Sequence, residues 1–379
     1  MTLTETARNF RITIKIIGSA FVLLILFRLS QDTIRAIFPK KEEVVIPTPT
    51  VQYGKMPKMK LPSKTINPSS QPSFSLDLVE ASLPSVPTLA NVYPILRAPY
   101  GFLALDRAKE LAQKLNFTSE PQAQTPTSYI WTAPNRKLTM DVSSLNFTYQ
   151  YAYLTDPSVF VNHAFVSKEK AEAKAVELLK KNGLLGGGGL YGGARGVDFE
   201  QGEKKTTLLR YQNGRLVSSR SLAETQAAEV NFFRQKIENL PILPINPNQG
   251  LINILIAGVA DDPGQGKFTE ILEINYTPWV IAYDQGATYP LRTSISAWGE
   301  LQTNLSYLTY LELDSGTATS PLIVQSFTCK DAYLGYLDLA EHQRFLQPVW
   351  VFAGSARTTS GAASFTAFVP AVQQTWVEE

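Results

Sequence analysis

The sequence predicts an α+β protein: an N-terminal transmembrane helix, then two domains of repeated helix-plus-antiparallel-sheet units. Three features carry that expectation. A single long apolar run occupies residues 16–27, a proline-rich stretch follows at 39–73, and helical and strand periodicities then alternate to the C-terminus. With 379 residues, 44% of them hydrophobic, the chain can bury one large core or two ordinary ones.

Twelve uninterrupted apolar residues are fewer than the roughly 20 that cross a hydrocarbon core of about 30 Å. Taken over 12–29 the span suffices, provided Lys15 and Arg28 snorkel their charges to the two interfaces. The alternative is a cleaved signal peptide, but residues 30–35 contain no small-x-small site. The expectation is therefore an uncleaved signal-anchor within 1–38, single-pass, with the amino end cytoplasmic and the body extracytoplasmic. Orientation rests on the short amino end and the long body. Flanking charge nearly ties, since Arg8, Arg11 and Lys15 precede the run and Arg28, Arg35, Lys40 and Lys41 follow it.

Seven prolines fall within 39–73. Each fixes φ and removes a backbone donor, so this stretch is expected to be an extended stalk without a sheet of its own. At about 3.1 Å per residue it could reach roughly 100 Å. The turn-like Tyr53-Gly54-Lys55-Met56-Pro57 is the part expected to dock onto the body.

In the first domain, 74–220, a helix is expected over 105–115, with Leu105, Ala108, Leu111, Ala112 and Leu115 on one face. Strands follow at 128–131 and 139–154. A second helix over 167–181 places Ala171, Ala175, Leu178 and Leu179 together and stops at Asn182-Gly183. Strands around 205–218 form a hairpin at Asn213-Gly214, the dipeptide a type I′ turn favours. The second domain, 221–379, opens on the capping-box pattern Ser221-Leu222-Ala223-Glu224. That pattern predicts a third helix towards Leu240, with Ala227, Val230, Phe233 and Ile237 inward. Strands at 251–259 and 269–276, a short helix at 294–302, and strands at 306–313, 322–337, 346–353 and 365–376 complete it.

Charge is uneven. Residues 1–64 carry eleven Lys/Arg against four Asp/Glu, a balance of +7, which leaves −5 for the remainder given the overall +2. A mildly acidic body is a poor nucleic-acid binder, because phosphate contacts need clustered cations. The basic stretch suits anionic lipid or simply keeps the stalk soluble. The single cysteine, Cys329, excludes an intramolecular disulfide and reads as a buried strand residue.

Several motifs invite chemistry and decline it. The run Gly186-Gly187-Gly188-Gly189-Leu190-Tyr191-Gly192-Gly193-Ala194-Arg195-Gly196 follows a helix and lacks the Gly-Lys-Ser/Thr of a phosphate loop. It reads as a connection in which Tyr191 and Arg195 could contact a partner. Ser167-Lys168-Glu169-Lys170 matches S-x-x-K without its companion motifs, so Ser167 reads as a helix N-cap. His163 and His342 with one cysteine make a poor metal set, and His342 reads as an exposed loop residue. Asp261-Asp262-Pro263-Gly264 reads as a turn rather than a calcium loop. No catalytic residue, cofactor or metal is expected. The strand residues Phe147, Tyr149, Tyr151 and Tyr153 share a face that is either core or, if open, an interaction patch.

Four stretches of the second domain together resemble YycH/YycI-type regulators. They are Thr288-Tyr289-Pro290-Leu291-Arg292-Thr293 with Ala297-Trp298-Gly299-Glu300-Leu301, Leu334-Gly335-Tyr336, Gln347-Pro348-Val349-Trp350-Val351-Phe352, and Phe365 to Val372. The plan of tail, span, stalk and body is similar too, and closer still to uncharacterised single-span proteins of small-genome bacteria. The resemblance covers about the last 130 residues. It implies a repeated PepSY-like α+β fold and an extracytoplasmic sensor or regulatory role by protein–protein interaction, with another envelope protein such as a sensor histidine kinase as partner. The Gly-rich loop and long stalk depart from that family. The competing expectation is a structural scaffold of an envelope or surface assembly.

Overall fold

The computed structural model describes Ser19 and residues 48–378, apart from 65, 68–69, 81, 86, 98–100, 161–166, 187–197, 259–269 and 315–320. The chain divides into two units, Met1–Thr48 and Pro49–Glu379. The second holds all the strands named below.

Along the chain run β1 (Ser73–Leu76), β2 (Leu89–Leu96), α1 (Ala104–Lys114), β3 (Gln122–Ala123), β4 (Ser128–Ala133), β5 (Arg136–Asp141) and β6 (Asn146–Tyr151). Next come α2 (Lys168–Lys181), β7 (Lys204–Gln212), β8 (Arg215–Ser218), β9 (Ala227–Phe232), β10 (Ile242–Leu243), β11 (Ile252–Ala257) and β12 (Glu270–Tyr276). The last part comprises β13 (Val280–Ile281), β14 (Ala287–Pro290), α3 (Ser294–Thr303), β15 (Leu308–Leu313), β16 (Val324–Leu337), β17 (Phe345–Leu346), β18 (Pro348–Thr358) and β19 (Gly361–Pro370).

A nine-stranded sheet has the order β3-β4-β5-β6-β12-β11-β9-β7-β8, antiparallel throughout. Its strands come from both sides of the 220/221 boundary drawn from the sequence. Helices α1 and α2 cover one face, setting Ala108, Leu111, Ala175 and Leu179 against Trp131, Leu138, Ile254 and Ile274. Ser167 caps α2, its hydroxyl accepting from the Lys170 amide at 3.1 Å. Asn213 and Gly214 both take positive φ between β7 and β8, which closes the expected hairpin.

The second sheet has the order β1-β16-β18-β19-β15, with β10 also on β16. Helix α3 lies against it, Trp298 packing on Phe352 with ring centres 5.2 Å apart. A four-stranded sheet gathers β13, β14 and β17 around β2.

Two expectations need correction. The fold is mostly β, with 42% strand against 19% helix, rather than repeated helix-plus-sheet α+β units. The expected third helix is the clearest cause. Ser221–Glu224 forms only a single tight turn at Leu222–Glu224, and 227–232 is β9, central in the nine-stranded sheet. Its residues Ala227, Ala228, Val230 and Phe232 are buried on both faces, which hides the period of two and lets a helical spacing fit by accident. The second correction concerns the membrane. Among the described residues no helix is long and apolar enough to cross one, contrary to the expected transmembrane helix and signal-anchor. The apolar run 16–27 itself lies outside the described residues except for Ser19.

The expected stalk also behaves differently in its described part. Residues 49–64 lie along the body as a strap. The Val51 amide donates to the Thr288 carbonyl at 3.1 Å, the Met56 amide to Trp376 at 2.7 Å, and the Lys64 amide to Leu308 at 2.6 Å. Met56, 0% exposed, fills a pocket made by Val92, Ala287, Tyr289, Phe345 and Val372. The expected docking turn is the centre of this contact, with Tyr53 against Phe345 and the Tyr289 hydroxyl donating to the Gly54 carbonyl at 3.0 Å.

Candidate functional site

A cavity of about 810 Å³ is a groove assembled from four stretches far apart in sequence. The strap supplies Lys58, Met59 and Leu61. Arg292 and the first turns of α3 supply Ser296 and Glu300, and the following turn supplies Ser306 and Tyr307. Gln347 comes from the link between β17 and β18. Pro370, Val372, Gln373, Gln374 and Val377 come from the C-terminal tail.

Local chemistry explains how the walls are fixed. Thr293 caps α3, its hydroxyl accepting from the Ser296 amide at 3.2 Å. Just before that cap, Arg292 is held from three sides. Its guanidinium pairs with Glu300 and donates through Nε to the Pro370 carbonyl at 2.5 Å. Its carbonyl accepts from the Trp350 indole at 2.9 Å, and its amide donates to Ala371 at 2.9 Å. The Tyr307 hydroxyl donates to the other Glu300 oxygen. Burial, reinforced by that carboxylate, pushes the Tyr307 phenol above its ordinary range. Gln347, itself buried, donates to the Pro57 carbonyl at 3.0 Å and so pins the strap to the groove.

With Arg292 and Glu300 neutralising each other, the groove offers Lys58, amides, hydroxyls and a few apolar side chains. This is a set suited to hydrogen-bonding an extended polar chain and holding a few of its side chains. Among the described residues no group of three or more His, Cys, Asp or Glu is placed to hold a metal ion.

The interaction residues picked from the sequence lie elsewhere. Tyr149 is core, 3% exposed, its ring edge-on to Phe117. Tyr151 is half-buried and donates to Asp156 at 2.8 Å. It borders a second cavity of about 560 Å³ on the nine-stranded sheet, together with Arg136, Lys137, Tyr153 and Glu273. The Tyr153 hydroxyl donates to Glu273 at 3.1 Å, and burial with that carboxylate pushes its pKa up to about 12. Tyr191 and Arg195, along with His163 and the Asp261 turn, lie outside the described residues. His342 is not the exposed loop residue expected. Its ring packs edge-on against Trp279 with centres 4.7 Å apart, Nε2 is buried, and burial lowers its pKa. Cys329 is buried as expected, and burial pushes its thiol up to about 12.

Sequence reasoning picked none of Lys58, Arg292, Glu300, Tyr307 or Gln374. A signal for two of them was present. Arg292 and Glu300 sit inside the stretches singled out by resemblance, around the start of the short helix expected at 294–302.

No protein-family profile matches the chain, and no curated protein matches it. Among solved structures, an uncharacterised protein from Eubacterium rectale is similar over 81% of this chain and 90% of its own, with 10% identity and a TM-score of 0.35. At that score the likeness carries no argument about fold or function.

Proposed function

We propose that this chain is a sensor or regulatory protein of the cell envelope that acts by protein–protein interaction, and that the groove between strap, α3 and C-terminal tail receives a polypeptide segment of its partner. The observation that supports this reading is the groove itself: about 810 Å³, open, and lined by amides, hydroxyls and scattered apolar groups on a braced frame. Rigid walls lower the ordering cost of binding, and backbone-like donors and acceptors suit a main chain better than a small apolar molecule. The partner class follows the resemblance given above, a membrane histidine kinase or another envelope protein.

The reading is tested by placing a photo-crosslinking phenylalanine analogue at Gln374, exposed at the groove, and at Arg215, exposed on the hairpin between β7 and β8. Irradiation of the native cells should yield a distinct protein adduct from position 374 and not from 215. Identical adducts from both positions would overturn the reading. Adducts of position 374 with further copies of this chain alone would replace it by the scaffold role.

A further inference from the structure

We propose that residues 49–64 are a releasable wall of the groove, so that strap docking and groove occupancy form one equilibrium. This rests on the reading of the groove as a polypeptide site.

The observations converge from three directions. The strap contributes Lys58, Met59 and Leu61 to the lining. Its attachment is local and discontinuous. Hydrogen bonds occur at Thr50 and Val51 with Thr288, at Tyr53 and Gly54 with Tyr289, at Tyr53 with Gln285, at Met56 with Trp376 and Glu378, and at Pro57 with Gln347, and they resume at Lys64. Between them lies a single deep anchor, the Met56 side chain, whose pocket shares Val372 with the groove. A segment with one fully buried side chain, the others (Val51, Tyr53, Met59 and Leu61) only partly covered, and no continuous ladder detaches at lower free energy than a sheet strand.

The strap also holds the other wall in place. Met56 and Val377 pair as a parallel bridge, and the Glu378 amide donates to the Met56 carbonyl at 2.8 Å. Release of Met56 therefore loosens Trp376, Val377 and Glu378 as well, at the far end of a tail whose Gln373 keeps its own bonds to Pro290 and Leu291. A ligand seated between strap and tail binds the docked state and not the released one. By reciprocity, whatever pulls on the strap from the Met1–Thr48 side lowers affinity at the groove by the factor that occupancy adds to docking.

The chain carries a means of locking the strap. The hydroxyl oxygens of Thr50, exposed, and Thr288, half-buried, lie 3.3 Å apart, so T50C/T288C brings two sulfurs within bonding reach, while Cys329 is buried and out of competition. Amide hydrogen exchange is measured on the full chain as wild type, Met56→Ala, and Met56→Ala with the lock, oxidised and reduced. Met56→Ala should speed exchange of both 49–64 and 376–378 by about tenfold or more, and oxidation should reverse both together. Faster exchange confined to 49–64, with 376–378 unmoved, would overturn the proposal.

Crosslinking from Gln374 then separates the two claims. Weakened adduct in Met56→Ala and recovery on oxidation are expected. An undiminished adduct with a released strap would overturn the coupling and leave the groove's role intact. Absence of adduct even in the wild type would overturn the polypeptide reading, while the exchange data still decide whether the strap is the wall. Should Met56→Ala not fold, oxidised against reduced T50C/T288C in the otherwise native chain makes the same comparison. Oxidation must then slow exchange in both segments.

Discussion

At the scale of single residues the most consequential arrangement is a buried charge cluster just beyond the end of β9. Arg234, its side chain 1% exposed, donates to Asp338 at 2.5 Å, to Asp198 at 2.8 Å and to the Trp279 carbonyl at 2.5 Å, with its guanidinium over the Phe199 ring. Tyr283 donates to the same Asp198 oxygen at 2.9 Å. One guanidinium thus serves two carboxylates, and the second Asp338 oxygen is buried without a hydrogen-bond partner. Burial holds the Asp338 carboxyl above its ordinary range despite Arg234, with Asp198 adding to the effect. The folded chain therefore binds this proton more tightly than the unfolded chain does. The contribution of Asp338 to stability falls as pH rises from about 4 through the raised folded value, then levels off. Asp338→Asn removes that titration, so its denaturant midpoint should lack this acid-range decline. Arg234→Met strands both carboxylates and should cost about 3–5 kcal/mol at neutral pH, less in acid where Asp338 takes up its proton. Equal losses at both pH values would show that Asp338 is ionised throughout.

At the scale of elements, close backbone approach constrains the long pair β16 and β18. Gly354 lies opposite Cys329, where the register slips by a residue between Cys329 and Asp331. A Cβ there would sit 2.1 Å from the Thr328 carbonyl and 2.9 Å from the Lys330 amide, both backbone atoms that cannot swing aside. Gly354→Ala should lower stability by about 3 kcal/mol, read from urea unfolding. Gly299→Ala, in the interior of α3 with nothing within 4 Å of the added carbon, should raise it by about 0.5–1 kcal/mol. The same contrast explains what could be read from the sequence. α1, α2 and α3 were legible because each is half covered, so its apolar stripe survives in the pattern, and because Ser167 marks the start of α2. β16 and β18 were legible as apolar, β-branched and aromatic runs, whereas the strand expected at 365–376 covers only the second half of β19 and overruns into the tail. β9 was not, since burial on both faces erases alternation. The strand β2 went unread for a related reason: Leu89-Ala90-Asn91-Val92-Tyr93-Pro94 includes a proline, which argues against a strand with three partners. The groove was illegible because no single stretch contains it. Arg292, Glu300, Gln347 and Gln374 meet only after the sheets have formed.

At the scale of the whole molecule, the boundary between Met1–Thr48 and Pro49–Glu379 falls inside the proline-rich stretch rather than after it. Prolines at 49, 57 and 62 therefore stiffen a segment that binds the body, which lowers the entropy lost on docking. The Met56 pocket is the energetic centre of that binding, since it buries the one long apolar side chain of the strap completely. Two truncations separate the contributions. Removal of residues 1–48 leaves the whole second unit, strap included, and serves as the reference. Removal of residues 1–61 empties the Met56 pocket, exposes Val92, Tyr289 and Val372, and frees the tail through Glu378. It should cost about 2–5 kcal/mol, as loss of a buried methionine does in a core. The nine-stranded sheet shares none of those residues, so the loss should concentrate in 287–293 and 370–378, where hydrogen exchange would report it first. A uniform rise in exchange across β4 to β6 as well would mean that strap and sheets unfold as one unit, and the strap would then be a structural strand of the core rather than a detachable part of it.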